Sequence, residues 1–194
     1  MRILGIDPGL NGALALIENG HLLEMVDIEA SDSRINAAHL AALIQRWKPD
    51  FAVCEVVTAR PGQGVTSMFT FGHGLGTITA VLSTLSIPYL LIRPQVWQSH
   101  FGIETSSKDK AQHKREIADR AEDFYQGAPL YGPKGGLKDG RSDALLLAHY
   151  AHEHLSSMPP EAFSNAHTVN PKKATKPKRK TKKTASSQDA TVAL

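Results

Sequence analysis

Apolar residues gather in short runs along the first third of the chain. RILGID (residues 2–7), GALALIEN (12–19) and HLLEMVDI (21–28) each suit one strand, and Pro8-Gly9 and Asn19-Gly20 separate them. Asn-Gly between two such runs signals a two-residue type I′ hairpin, so the pattern predicts three antiparallel strands. The period then changes. From Ser33 to Trp47 the apolar positions Ile35, Ala38, Ala42, Leu43 and Trp47 recur at helical spacing, with Ser31 to Ser33 as candidate caps and Pro49 just past the end. FAVCEVV (51–57) reads as a buried strand, 65–86 as a long apolar helix containing glycines, and 87–92 as another strand; two helices follow, around 108–125 and 142–155. The order βββαβαβα, without internal repeats, predicts an α/β fold. A three-strand antiparallel meander continues into parallel strands, and helices flank both faces of the mixed sheet.

Composition narrows the class. At 194 residues and 41% hydrophobic content, the chain is sized for one domain with a full core. The single cysteine, Cys54, excludes an intramolecular disulfide framework and a multi-cysteine zinc site, and its apolar neighbours read as core. The first residues lack the layout of a signal peptide, and no uninterrupted apolar stretch reaches membrane-spanning length. A soluble, cytoplasmic protein without a membrane partner is expected.

Charge is unevenly placed. Residues 172–183, KKATKPKRKTKK, hold eight of the 22 Lys/Arg, and 162–188 contain no acid. Without those eight cations and Asp189, 14 basic groups face 18 acidic ones, so the overall +3 belongs to the tail. Pro171, Pro177 and the Ser/Thr/Ala filler predict a folded domain over 1–158 and a disordered basic tail over 159–194. Such a tail suits contact with nucleic-acid phosphates, or simply solubilises the chain.

Four acids stand where chemistry is plausible. Asp7 ends the first strand against Pro8-Gly9; alone it reads as a turn carboxylate, and only partners elsewhere in the chain give it another role. Glu55 interrupts the apolar run AVCEVV, where an unpaired carboxylate is expensive. In a mixed sheet both lie at carboxyl ends of strands, where sites form. Asp139 and Asp143, in KDGRSDALLLAHYAHE, are four apart near a helix start and share a face if the helix includes both; Asp139 is otherwise the N-cap. Oxygen ligands without His or Cys suit Mg²⁺ or Mn²⁺ rather than zinc.

ILGIDPG, CEVV, ARPGQGVTSMFTFGHGLG, IPYLLIRPQVW and KDGRSDALLLAHY, in that order over residues 3 to about 153, resemble the RuvC-type Holliday-junction resolvases, especially compact phage and prophage versions. The resemblance implies an RNase H-like fold and a Mg²⁺-dependent endodeoxyribonuclease with two ions per site. Asp7, Glu55 and Asp143 match the family's metal-binding carboxylates. The family's fourth ligand, an Asp or His three residues before the last Asp, falls on Gly140 here, and Asp139 is the available substitute. Such enzymes nick two strands of like polarity across a four-way junction, leaving 5′-phosphates. A symmetric substrate calls for a homodimer.

Candidate DNA contacts are Arg60 in the 58–71 segment, Phe69 and Phe71 for stacking or wedging at the junction centre, and Lys108, Lys110, Lys114 and Arg115 for phosphates. The two phenylalanines read equally as core or dimer interface, and the basic cluster, diluted by Asp109, Glu116 and Asp119, as a solvated face. Other functions remain open: an RNase H-type nuclease on RNA–DNA hybrids, an inert junction-binding module, or an actin-like phosphate loop at GIDPGLNGALAL, which would need a second domain.

Overall fold

The computed structural model describes residues 1–56, 64–103 and 109–155; the proposed tail and the 158 boundary lie outside them. The predicted meander is β1 (Arg2–Ile6), β2 (Ala13–Glu18) and β3 (His21–Asp27), paired antiparallel. Asn19 and Gly20 turn between β2 and β3 at φ 51° and 83°, and Asn19 Oδ1 accepts a 2.7 Å bond from the N-terminal ammonium.

Residues 30–35 depart from the expected helix start. β4 (Ala30–Ser31) and β5 (Arg34–Ile35) make a miniature hairpin whose turn residues Asp32 and Ser33 both take positive φ. Neither residue is a glycine, which is why the turn escapes a sequence reading. The helix α1 (Ala37–Trp47) therefore starts later, capped by Asn36, whose side-chain oxygen accepts from the His39 N–H, and not by Ser31 to Ser33. Next come β6 (Phe51–Glu55), α2 (Val65–Thr84), β7 (Tyr89–Ile92), α3 (Pro94–His100), α4 (Lys110–Phe124) and α5 (Asp139–Leu155). The short α3, opened by Pro94 in its first turn, is an addition to the expected order.

The five-stranded sheet runs β3-β2-β1-β6-β7, with β1, β6 and β7 parallel as expected. Strand alternation divides the core. Leu4, Ile6, Ala52 and Cys54 face Leu40, Ile44, Ile78 and Leu82 of α1 and α2. Ile3, Phe51 and Val53 face the other way, onto Trp97 of α3, Ile117 and Ala121 of α4, and the buried Ala144 to Ala148 of α5.

By length and composition alone, α2 is apolar enough to cross a membrane, a test that core helices of soluble proteins also pass. It carries no charge, and its glycines and threonines kept it from reading as an uninterrupted apolar run. It packs Gly74, Ile78 and Leu82 into the core and leaves Val65 and Phe69 85% and 75% exposed.

Helix α5 crosses the sheet at close range because β1 offers it a glycine. A Cβ on Gly5 would fall 1.9 Å from the Ala144 carbonyl oxygen and 2.7 Å from the Ala148 amide nitrogen. Both obstacles are backbone, so nothing can rotate aside. Gly5→Ala should lift α5 off β1 and cost about 3 kcal/mol or more, read as a lower denaturation midpoint. An unchanged midpoint would contradict this packing.

Candidate active site

Alternation aims both strand-end acids at α5. Asp7 continues the Ile3–Gly5 side of β1, and Glu55 continues the Phe51–Val53 side of β6. The register pairs Ile3 with Phe51, Gly5 with Val53 and Ile6 with Cys54, so Asp7 and Glu55 stand one step beyond the last pair. A parallel pair of strands thus brings two carboxylates to the same edge.

The turn reading and the site reading of Asp7 are compatible. Its Oδ1 accepts the Gly9 N–H at 3.1 Å, fixing the turn, while Oδ2 faces the start of α5. There the 9–12 loop closes on Gly140, where a Cβ would lie 2.8 Å from the Asn11 carbonyl oxygen and 2.9 Å from Asp7 Oδ2. Position 140 therefore does face Asp7, but the loop packing leaves no space for a side chain. The start of α5 is held from the other side by Arg141, which donates at 2.6 Å to both Asp27 Oδ1 on β3 and the Pro129 carbonyl. Arg141 also holds the Asp27 carboxyl below its ordinary range.

Asp139 is the first residue of α5, and its carboxylate lies 2.5 Å from the Lys114 ammonium on α4. Asp143 sits one turn further on; its Oδ1 is buried and finds no hydrogen-bond partner among the described residues. Glu55 Oε1 accepts a 3.1 Å bond from the indole N–H of the wholly buried Trp97. Burial, followed by the repulsion of neighbouring acids, sets the electrostatics. Burial lifts Asp7 to about 6, a rise opposed by the Gly9 bond and by Lys114 and reinforced by Asp139. Glu55 is lifted to about 7 by burial and by Asp7, against the Trp97 bond. Asp143 is pushed well above the carboxylate range by burial and by Asp7, Glu55 and Asp139, with Lys114 again opposing. All four predicted acids thus share one electrostatic neighbourhood.

The donor set is oxygen only, and the orphaned Asp143 Oδ1 is a buried acceptor awaiting a positive partner; both fit a hard divalent cation. Among the described residues, no three His, Cys, Asp or Glu side chains already stand at the spacing of a finished metal centre. Glu55 is bonded to Trp97 and Asp139 to Lys114, so closing such a centre requires side-chain rotation.

The other candidates are dispersed. Lys110 and Arg115 are exposed on α4, and Arg115 lies among Glu116 and Asp119. Phe71 is partly buried, near Gly74, which packs against the Pro8 carbonyl oxygen of the Asp7 turn. Arg60 and Lys108 lie outside the described residues. Sequence reasoning missed Trp97, although Pro94 signals the helix that carries it, and missed the Lys114–Asp139 pair. It also missed a cavity of about 760 Å³ beside Asp139, between Leu10-Asn11 and the 132–138 segment.

No protein-family model matches the chain, and no curated protein matches it in sequence. Solved structures do. Thermus thermophilus RuvC in complex with Holliday junction substrate is similar with a TM-score of 0.57 at 18% identity, over 81% of this chain and 97% of that one. Another Thermus thermophilus RuvC structure gives 0.56 at 20% identity, over 79% and 97%. Fowlpox virus resolvase with its substrate Holliday junction DNA gives 0.53 at 14%, over 80% and 99%. The fold is that of these resolvases.

Proposed function

We propose that this chain, built on the resolvase fold, is a divalent-metal-dependent endonuclease that resolves four-way DNA junctions by paired, symmetric nicks. The observation that carries the reading is the convergence of Asp7, Glu55, Asp139 and Asp143 at the end of β1 and β6 beneath the start of α5. Similarity to proteins solved with junction DNA supplies the substrate class. Asp7, Glu55, Asp143 and, after release from Lys114, Asp139 are the residues that would hold Mg²⁺ or Mn²⁺. Two such ions, when bound, supply an activated water and neutralise charge at the scissile phosphate.

The chain's own groups perform the rest. The Gly9 N–H and the Trp97 indole each hold one oxygen, of Asp7 and Glu55 respectively, in the metal-free protein. The Gly5 contact and the Arg141 clamp set the height of the α5 acids over the strand ends. A homodimer suits a two-fold junction, and the uncharged α2, with Val65 and Phe69 uncovered, is the face proposed to meet the second copy or the junction centre, with Phe71 alongside. Arg60, Lys108, Lys110, Arg115 and the basic run at 172–183 are proposed to add phosphate contacts that weaken with salt.

Incubating the protein with Mg²⁺ and either a four-way junction or an RNA–DNA hybrid separates this reading from its nearest alternative. Junction cutting in large excess over hybrid cutting is expected. Preferential hybrid degradation would assign an RNase H-type activity instead.

A further inference from the structure

Lys114 is tied to the acids more closely than a phosphate-binding surface lysine would be. It projects from the first half of α4, which packs against α5, and its ammonium sits 2.5 Å from Asp139 Oδ2. Asp7 and Asp143 feel its positive charge as well, so three of the four acids are partly neutralised by one side chain. Both members of the pair are about half exposed, 51% for Lys114 and 41% for Asp139. An exposed pair of this kind is weak and readily exchanged.

We propose that Lys114 is a positioning residue, the resident counter-cation of the acid cluster, whose ammonium holds Asp139 in the metal-free protein and yields it when a divalent ion enters. The inference rests on the metal-centred reading of the site and adds an order of events. Metal loading is a cation exchange at Asp139, and the lysine sets its cost. Among the described residues, Asp139 is thus the one of the four acids whose carboxylate already holds a cation. Once displaced, the ammonium remains a like charge beside the incoming ion and lowers its affinity.

The test is Ca²⁺ binding by titration calorimetry on the full-length protein without DNA, at low ionic strength, for wild type, Lys114→Met and Lys114→Arg. Lys114→Met should bind Ca²⁺ about tenfold more tightly than wild type, because a competing charge is gone. Lys114→Arg keeps the charge and should stay near wild type, and raising the salt should shrink the difference. Circular dichroism checks that both variants are folded; Lys114 is exposed on its helix, so both should be. Wild type that binds Ca²⁺ with Lys114→Met no tighter, or weaker, would overturn the counter-cation role while leaving the metal site standing. Wild type that binds no Ca²⁺ would overturn the metal-centred reading itself, and the exchange with it.

Discussion

Asp143→Asn should bind a four-way junction and cut it on the order of a thousandfold more slowly than wild type, or not at all. Asn has nearly the volume of Asp and keeps one oxygen, so the helix and its packing survive. What disappears is a negative charge aimed at the strand-end acids. In the metal-free protein that charge is a liability: its Oδ1 is buried with no hydrogen-bond partner among the described residues, and burial, followed by Asp7, Glu55 and Asp139, disfavours the ionised carboxyl. The substitution should therefore raise the melting temperature in chelator while removing activity, the opposite of what losing a structural residue does. Asp7→Asn and Glu55→Gln should behave alike. Asp139→Asn should also lose activity and need more Mg²⁺; it does not serve as the helix cap, since it is the first helical residue and its carboxylate is held by Lys114. Rates within a few-fold of wild type for Asp143→Asn, measured by single-turnover junction cleavage, would remove the acid cluster from the mechanism.

A second large effect concerns pH. Asp7 titrates at about 6 and Glu55 at about 7 in the fold, and Asp143 is raised as well, against about 4 for ordinary carboxylates. Between those values the folded state binds more protons than the unfolded chain. Stability contributed by Asp7 and Glu55 is thus full below about pH 4 and is lost as pH rises through about 6 to 7, and the raised Asp143 adds a loss in the same direction. In chelator the melting temperature should drop across that window, and millimolar Mg²⁺ at pH 7.5 should restore much of the loss by supplying the missing positive charge. Asp27 runs the other way, since Arg141 holds its carboxyl low; its stability is present at neutral pH and fades in acid. The Asp7→Asn/Asp143→Asn double variant should flatten the decline. A wild-type melting curve in chelator that is level or rises from pH 4.5 to 7.5 would contradict the proximity and burial of the acids.

How much of this was legible depended on the range of the interactions. Asp7 and Glu55 stand out in sequence because an acid at a strand end before Pro-Gly, and an acid inside AVCEVV, both violate local expectation. The meander was readable because Asn19-Gly20 is a turn with few alternatives. The 30–35 hairpin was not, because Asp32 and Ser33 reach positive φ without glycine. Trp97 and Lys114 act through contacts 42 and 25 residues away in sequence, set by how α3 and α4 dock, and no local pattern encodes that. Gly140 is the reverse case. Its lack of a side chain was visible at once, but the reason, a loop closing within 3 Å of its missing Cβ, exists only in the fold.

The most direct test labels each of the four strands of a synthetic junction in turn and maps the cuts made by the full-length protein in Mg²⁺. Paired nicks at matching positions in two opposing strands of like polarity, rejoined by DNA ligase, are the predicted result, with none from Asp143→Asn. An intact junction in both Mg²⁺ and Mn²⁺, or scattered cuts that Asp143→Asn makes equally well, would contradict the account.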